Sequence, residues 1–137
     1  MIRPIMKDPM FLARKSEPAT KADLPLAQDL IDTLRAHAHE CVGMAGNMIG
    51  VLKRVIIFDN NGVPTVMFNP EIVEKSGPYP TEEGCLSLPG MQRPCIRYQK
   101  IKVSFRNMAF MPMVATFEGW PAQIIQHEID HCNGILI

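Results

Sequence analysis

The apolar positions of this chain change period along its length. Leu26, Leu30, Ile31, Leu34, Ala38 and Cys41 recur every three or four residues, which predicts an amphipathic helix over about 24–41. Asp23 followed by Pro25 marks its start. The next runs, RVIIFD (54–59) and TVMFNP (65–70), are rich in β-branched and aromatic residues and flank NNGVP. Asn61-Gly62 is a turn signal, so these runs predict a hairpin. IKVSFRN (101–107) alternates apolar and polar residues and pairs with MVATFEG (113–119) as a second hairpin. The segment between them, SGPYPTEEGCLSLPGMQRP, is punctuated by Gly and Pro and reads as irregular. A last helix is expected from Pro121 to near Gly134. Two helices with mostly antiparallel strands make the fold class α+β. With no repeat, low-complexity tract or long linker, residues 1–137 read as one domain.

Composition narrows the class of partner. The 137 residues carry 14 basic and 14 acidic side chains, interspersed in sign, which gives no electrostatic footprint for direct nucleic-acid binding. The apolar runs are far shorter than the roughly 20 residues of a membrane span. The first residues, MIRPIMKDPMFLARKSEP, break their apolar positions with Pro4, Lys7, Asp8 and Pro9 and lack a signal-peptide core. A cytoplasmic protein without membrane contact is expected. In that setting Cys41, Cys85, Cys95 and Cys132 are thiols or metal ligands rather than disulfides. His37 and His39 lie two apart on no common helical face and are expected at the surface or in a helix cap.

The chemistry concentrates in QHEIDHCNG (126–134). Residues four apart on a helix share a face, so His127 and His131 can aim at one ion. Glu128 between them can hold a carboxylate beside that ion without ligating it, the H-E-x-x-H device of two ligands and a general base. Ile124, Ile125, Ile129 and Cys132 spread apolar character around the helix. This implies burial, where unpaired histidines and carboxylates are costly. The longer pattern with a third histidine fits through Gly134, but Ile137 stands at the histidine position and CNGILI (132–137) holds no glutamate. The third ligand must then be Cys132 or come from upstream. Cys132 points about 100° away from His131 around the helix. Cys85 sits beside Gly84 and just before the Pro89-Gly90 turn, in the kind of loop that carries ligands. A Cys-His-His set with an open position suits zinc or ferrous iron.

With these motifs in place the chain resembles the peptide deformylase family. That family carries E-G-C-L-S-x-P-G and Q-H-E-x-D-H-x-x-G blocks, here EGCLSLPG (83–90) and QHEIDHCNG (126–134). The resemblance runs from the first helix to the last. It implies antiparallel sheets around a central C-terminal metal-binding helix, with Cys85, His127 and His131 as metal ligands and Glu128 as the catalytic carboxylate. It also implies removal of the formyl group from formyl-methionyl peptides, with ferrous iron as the usual metal and zinc, nickel or cobalt able to replace it. The backbone N–H of Leu86 would be one donor to the oxyanion of the tetrahedral intermediate, and a glutamine side chain the other. A further block, here CVGMAGNMIG (41–50), would place Gly43, Met44, Ala45 and residue 48 against substrate.

That block is where the chain departs from the family. Met48 stands at the glutamine position, and a thioether donates no hydrogen bond. Losing one oxyanion donor costs ~10²–10³ in kcat, or about 3–4 kcal/mol. Asn47 carries an amide, but a one-residue shift in an extended segment turns it to the opposite face. The chain also stops at Ile137, without the tail that relatives use at the ribosome, so ribosome docking is not expected. Three readings follow: a slow deformylase, a metal-binding deformylase-like protein without efficient catalysis in a binding or regulatory role, and a hydrolase of another N-acyl substrate. The oligomeric state is open.

Overall fold

The computed structural model describes residues 1–136 and, for Leu88, Pro89 and Met91, the backbone only. Ile137, which holds the place of a third histidine, lies outside the described residues. The chain forms α1 (Pro9–Leu12), α2 (Leu24–Ala36), β1 (Gly43–Ala45), a 3-10 turn (Gly46–Ile49), β2 (Val55–Asn60), β3 (Val63–Cys85), β4 (Leu88–Arg106), β5 (Pro112–Glu118) and α3 (Gly119–Cys132). The strands make one antiparallel sheet in the order β1-β2-β3-β4-β5, and the fold is α+β. Among the described residues no helix is long and apolar enough to cross a membrane.

β2 explains the layering. Its VIIF run is buried on both faces. Val55 and Ile57 pack with Leu26, Ala27, Leu30 and Leu34 of α2, while Ile56 and Phe58 pack with Ala122, Ile124, Ile125 and Ile129 of α3. The inner strands therefore lie between two helices, and each fully buried Ile or Phe contributes about 1.5–3 kcal/mol by leaving water. α3 is the more enclosed helix: Gln126, His127, Glu128 and His131 are buried along with its apolar residues. The price of sinking polar groups is offset by partners. Gln126, for example, accepts from the Tyr98 N–H and donates to the Tyr98 carbonyl, both at 2.9 Å.

The Asn-Gly hairpin forms as expected. Asn61 and Gly62 have φ of 52° and 93°, and Asn60 pairs with Val63 across the two-residue turn. The second hairpin joins β4 to β5 around Asn107, whose side-chain oxygen accepts from the N–H groups of Ala109 and Met111.

Two expectations need correction. The helix predicted over 24–41 ends at Ala36, with His37 as its C-cap. The Cys41 N–H still donates to the His37 carbonyl at 2.9 Å, so the helical spacing persists through one further turn that turns the chain into β1. The larger correction concerns residues 76–94, read as irregular from their prolines and glycines. They are β-strand throughout except for Leu86 and Ser87 at the tip, and Cys85 is the last residue of β3 rather than a loop residue. Among the described residues, 71–85 pair only with β4, and 88–99 only with β3. Pro78, Pro80 and Pro94 therefore sit on strands with one open side, where a missing N–H breaks no ladder.

Candidate metal centre

α3 and the tip of the β3–β4 hairpin meet at Cys85, His127 and His131. One ligand atom from each lies within 4.8 Å of the other two. The imidazoles stand at helical i, i+4 spacing with ring centroids 4.4 Å apart. A register shift between Glu83 and Cys85 re-aims the strand end where the thiol is presented. Cys132, the other candidate thiol, is fully buried in the apolar layer between α3 and the sheet, and burial pushes it up to about 12.

Behind His127 stands a network that sequence reasoning missed. Glu83 Oε1 lies 2.7 Å from His127 Nδ1. The same carboxylate takes hydrogen bonds from Arg97 Nη2 at 2.7 Å and Gln123 Nε2 at 2.9 Å, and Arg97 Nη1 reaches Asp130 at 2.6 Å. A carboxylate on Nδ1 selects the tautomer that leaves the Nε2 lone pair for a metal. Burial would raise the Glu83 carboxyl, but His127, Arg97 and Gln123 hold it well below the usual carboxylate range. Glu83 lies inside the EGCLS motif, so its presence was legible. Arg97 and Gln123 arrive through strand pairing and helix packing, for which the sequence carries no local signal.

The three donors share their protons closely. Burial pushes the Cys85 thiol up, yet hydrogen bonds from His127 and His131 more than reverse this and lower it to about 6. Burial pulls His127 down, and its bonds to Cys85 and Glu83 raise it to about 9. His131 is likewise raised, against burial, by the Glu128 and Cys85 charges. A thiolate beside two imidazoles is a donor set from which a divalent ion displaces protons, and its composition fits zinc or ferrous iron.

Glu128 is buried, with Oε1 3.0 Å from His131 Nδ1. Its other oxygen presses on β1: a Cβ at Gly43 would come within 2.9 Å of Glu128 Oε2 and 2.6 Å of Ile124 Cγ2. Glycine at 43 thus lets the strand approach the carboxylate closely. A cleft of about 300 Å³ opens in front, lined by Cys41, Gly43, Met48, Cys85, Leu86 and Glu128 among others, with Trp120 on its wall. Met44 and Ala45, expected against substrate, are fully buried in the two apolar layers and do not line this cleft. Met48 reaches it as an apolar wall, 1% exposed. Cys41 donates its S–H to the Gly43 carbonyl at 2.8 Å, and burial with the Glu128 charge pushes the thiol up to about 12.

Asn47 faces away from the cleft, as expected, but for another reason. Residues 46–49 form a 3-10 turn rather than an extended segment. The Asn47 amide donates to the main-chain carbonyls of His131 at 3.0 Å and Leu12 at 3.4 Å. With Arg54 Nη1 on the Cys132 carbonyl at 3.1 Å, it adds side-chain donors to the last turn of α3, where the Gly134 N–H reaches the His131 carbonyl at 3.0 Å and the Ser16 N–H reaches that of Cys132 at 2.8 Å.

Known proteins share the fold and much of the sequence. The family model for polypeptide deformylase matches residues 2–137. The peptide deformylase of Clostridium beijerinckii is 51% identical over 137 residues, covering all of both chains, and that of Aquifex aeolicus is 37% identical, covering 98% of this chain and 85% of its own. The crystal structure of a peptide deformylase from Legionella pneumophila superposes with a TM-score of 0.89 at 36% identity, covering 99% of this chain and 83% of that one. A class I type b peptide deformylase from Acinetobacter baumannii, bound to Met-Ala-Ser, gives 0.87 at 32% identity, covering 99% and 97%. By family match, full-length identity and shared fold, the chain belongs to the polypeptide deformylase family and is a hydrolase of that type.

Proposed function

We propose that this chain removes the formyl group from N-formyl-methionyl peptides, with Cys85, His127 and His131 holding the ion. The observation that carries this reading is the gathering of those three donors beside the buried Glu128 carboxylate, with Cys85, His127 and Glu128 lining an open cleft. The Acinetobacter baumannii relative bound to Met-Ala-Ser supports a peptide with N-terminal methionine as the ligand class. A divalent ion in such a site supplies Lewis acidity, polarising a carbonyl and lowering the pKa of water from about 16 towards about 7. Ferrous iron is the proposed native metal, with zinc, nickel or cobalt able to substitute, and the cytoplasm is the proposed compartment.

This chain's own residues do the rest. Glu128 takes a proton from the attacking water at a carboxylate oxygen and returns it to the departing amine. Glu83, held by Arg97 and Gln123, keeps His127 in one tautomer and orientation. The Leu86 N–H, at the hairpin tip in the cleft wall, donates to the developing oxyanion. Gly43 brings β1 against Glu128 without displacing it. Met48 adds no second donor, so turnover is proposed to be slow.

The test is turnover of formyl-Met-Ala-Ser by iron-loaded protein under anaerobic conditions, beside Cys85→Ser. Slow deformylation, abolished in Cys85→Ser together with bound metal, is the expected result. Full metal content in Cys85→Ser by elemental analysis would remove Cys85 as a ligand. Absence of turnover with metal bound would favour the reading without efficient catalysis, which the apolar Met48 wall supports. Turnover of other acyl groups but not formyl would favour the third reading.

A further inference from the structure

On the other side of Met48 and Cys85 from the cleft lies a second, far smaller cavity. It offers about 10 Å³ to the centre of a water molecule, near the minimum that one water requires. Asn47, Met48, Cys85, Ser87 and His131 line it, and Leu12 helps to close it. Met48 and Cys85 line both spaces, so their side chains form the partition.

Two polar atoms in this wall lack partners. Asn47 and Ser87 are 1% and 2% exposed, and neither Asn47 Oδ1 nor Ser87 Oγ has a hydrogen-bond partner among the described residues. Each such atom costs about 1–3 kcal/mol when left unsatisfied. The orientation of Asn47 is not arbitrary. Its Nδ2 is committed to the carbonyls of His131 and Leu12, and exchanging the amide ends would set three acceptors against one another. Oδ1 is therefore held as the end that needs a donor.

We propose that this cavity binds one ordered water, which accepts from the Ser87 hydroxyl and donates to Asn47 Oδ1 and to the Cys85 sulfur. Water supplies the two donors that an amide oxygen and a thiolate need and the acceptor that a hydroxyl needs. The space admits nothing larger. Asn47 and Ser87 become positioning residues of the metal centre. Asn47 fixes the carbonyl end of His131 with its nitrogen and, through the water, the sulfur of Cys85 with its oxygen. A hydrogen bond to the thiolate withdraws electron density from it and holds it from the side opposite the cleft. The same geometry explains why Asn47 does not replace the missing oxyanion donor: its amide is engaged behind the partition. The inference rests on Cys85 being a ligand.

Cobalt-substituted holoprotein separates the two claims. A sulfur-to-cobalt charge-transfer band in the wild type, absent in Cys85→Ser, reports ligation. If that band is missing from the wild type, the ligand reading fails, and this inference with it. If the band is present, Ser87→Ala is expected to shift it to longer wavelength, because the sulfur loses a hydrogen bond. The variant should also release cobalt to a chelator about tenfold faster. A band and release rate both unchanged in Ser87→Ala would overturn the water site. A crystal structure of the zinc form needs no variant: solvent density within hydrogen-bond distance of Asn47 Oδ1, Ser87 Oγ and Cys85 Sγ supports the site. A dry cavity, or a water that does not reach the sulfur, overturns it.

Discussion

The two walls of the cleft are built on different principles. On the α3 side the polar side chains are tied into a network: His127 to Glu83, Glu83 to Arg97 and Gln123, Arg97 to Asp130, and His131 to Glu128. On the β1 side, Gly43, Met48 and Cys41 offer close approach and apolar surface, and the one polar hydrogen of Cys41 is turned onto Gly43's own carbonyl. The first wall is preorganised for holding a cation and moving a proton. Among these described residues, the second offers the proposed substrate apolar surface and no side-chain donor to an oxyanion. On the proposed reading the two halves of the site can vary separately, because the proposed metal ligands are supported from behind, whereas an oxyanion donor would act alone at the surface of the cleft.

Substitutions on each wall sharpen that contrast. The largest effect is expected from Glu128→Gln, which removes the proton acceptor and keeps the shape: kcat should fall about 10²–10⁴-fold with metal content unchanged. Equal turnover in this variant would break the assignment of proton transfer to the helix wall. On the opposite wall, Met48→Gln should raise kcat by up to ~10²–10³, because it restores a donor, with KM changing less. If the fully metallated variant is no faster, the β1 wall is not what limits the rate. Glu83→Gln, with the network weakened but the chain length kept, should lower metal affinity about 10–100-fold in a chelator competition. Undiminished affinity would mean that the support behind His127 is dispensable. The smallest effect is expected at Cys132→Ser, one residue from a proposed ligand but packed in the apolar layer: metal content by elemental analysis should equal the wild type, while stability falls modestly. Loss of metal there would show that the two faces of α3 are not independent.

Much of this was readable from local pattern. The helical spacing of His127, Glu128 and His131, the Asn61-Gly62 turn and the amphipathic period of α2 each follow from a few neighbouring residues. The segment around Cys85 defeats local pattern because its prolines and glycines look like strand breakers. They break a strand only where both edges are paired, and edge pairing is a property of the sheet. The direction of Asn47 is the same on either local geometry, since a 3-10 turn and an extended run both turn neighbouring side chains apart. Arg97 and Gln123 carried no warning at all: each is an ordinary polar residue until the fold places it against Glu83.

By itself, then, the sequence determined the chemical inventory: a thiol and two histidines able to bind a divalent ion, a carboxylate proposed to move a proton, and a thioether where the family resemblance implies a donor. Side-chain type and helical spacing are local, so they survive without a fold. Tertiary structure decided which groups support which. It brought the end of β3 to α3, set Glu83 behind His127, and turned Asn47 towards the back of the candidate metal centre. Those relations join residues dozens of positions apart, and burial with hydrogen-bond satisfaction, rather than any local preference, selects among them.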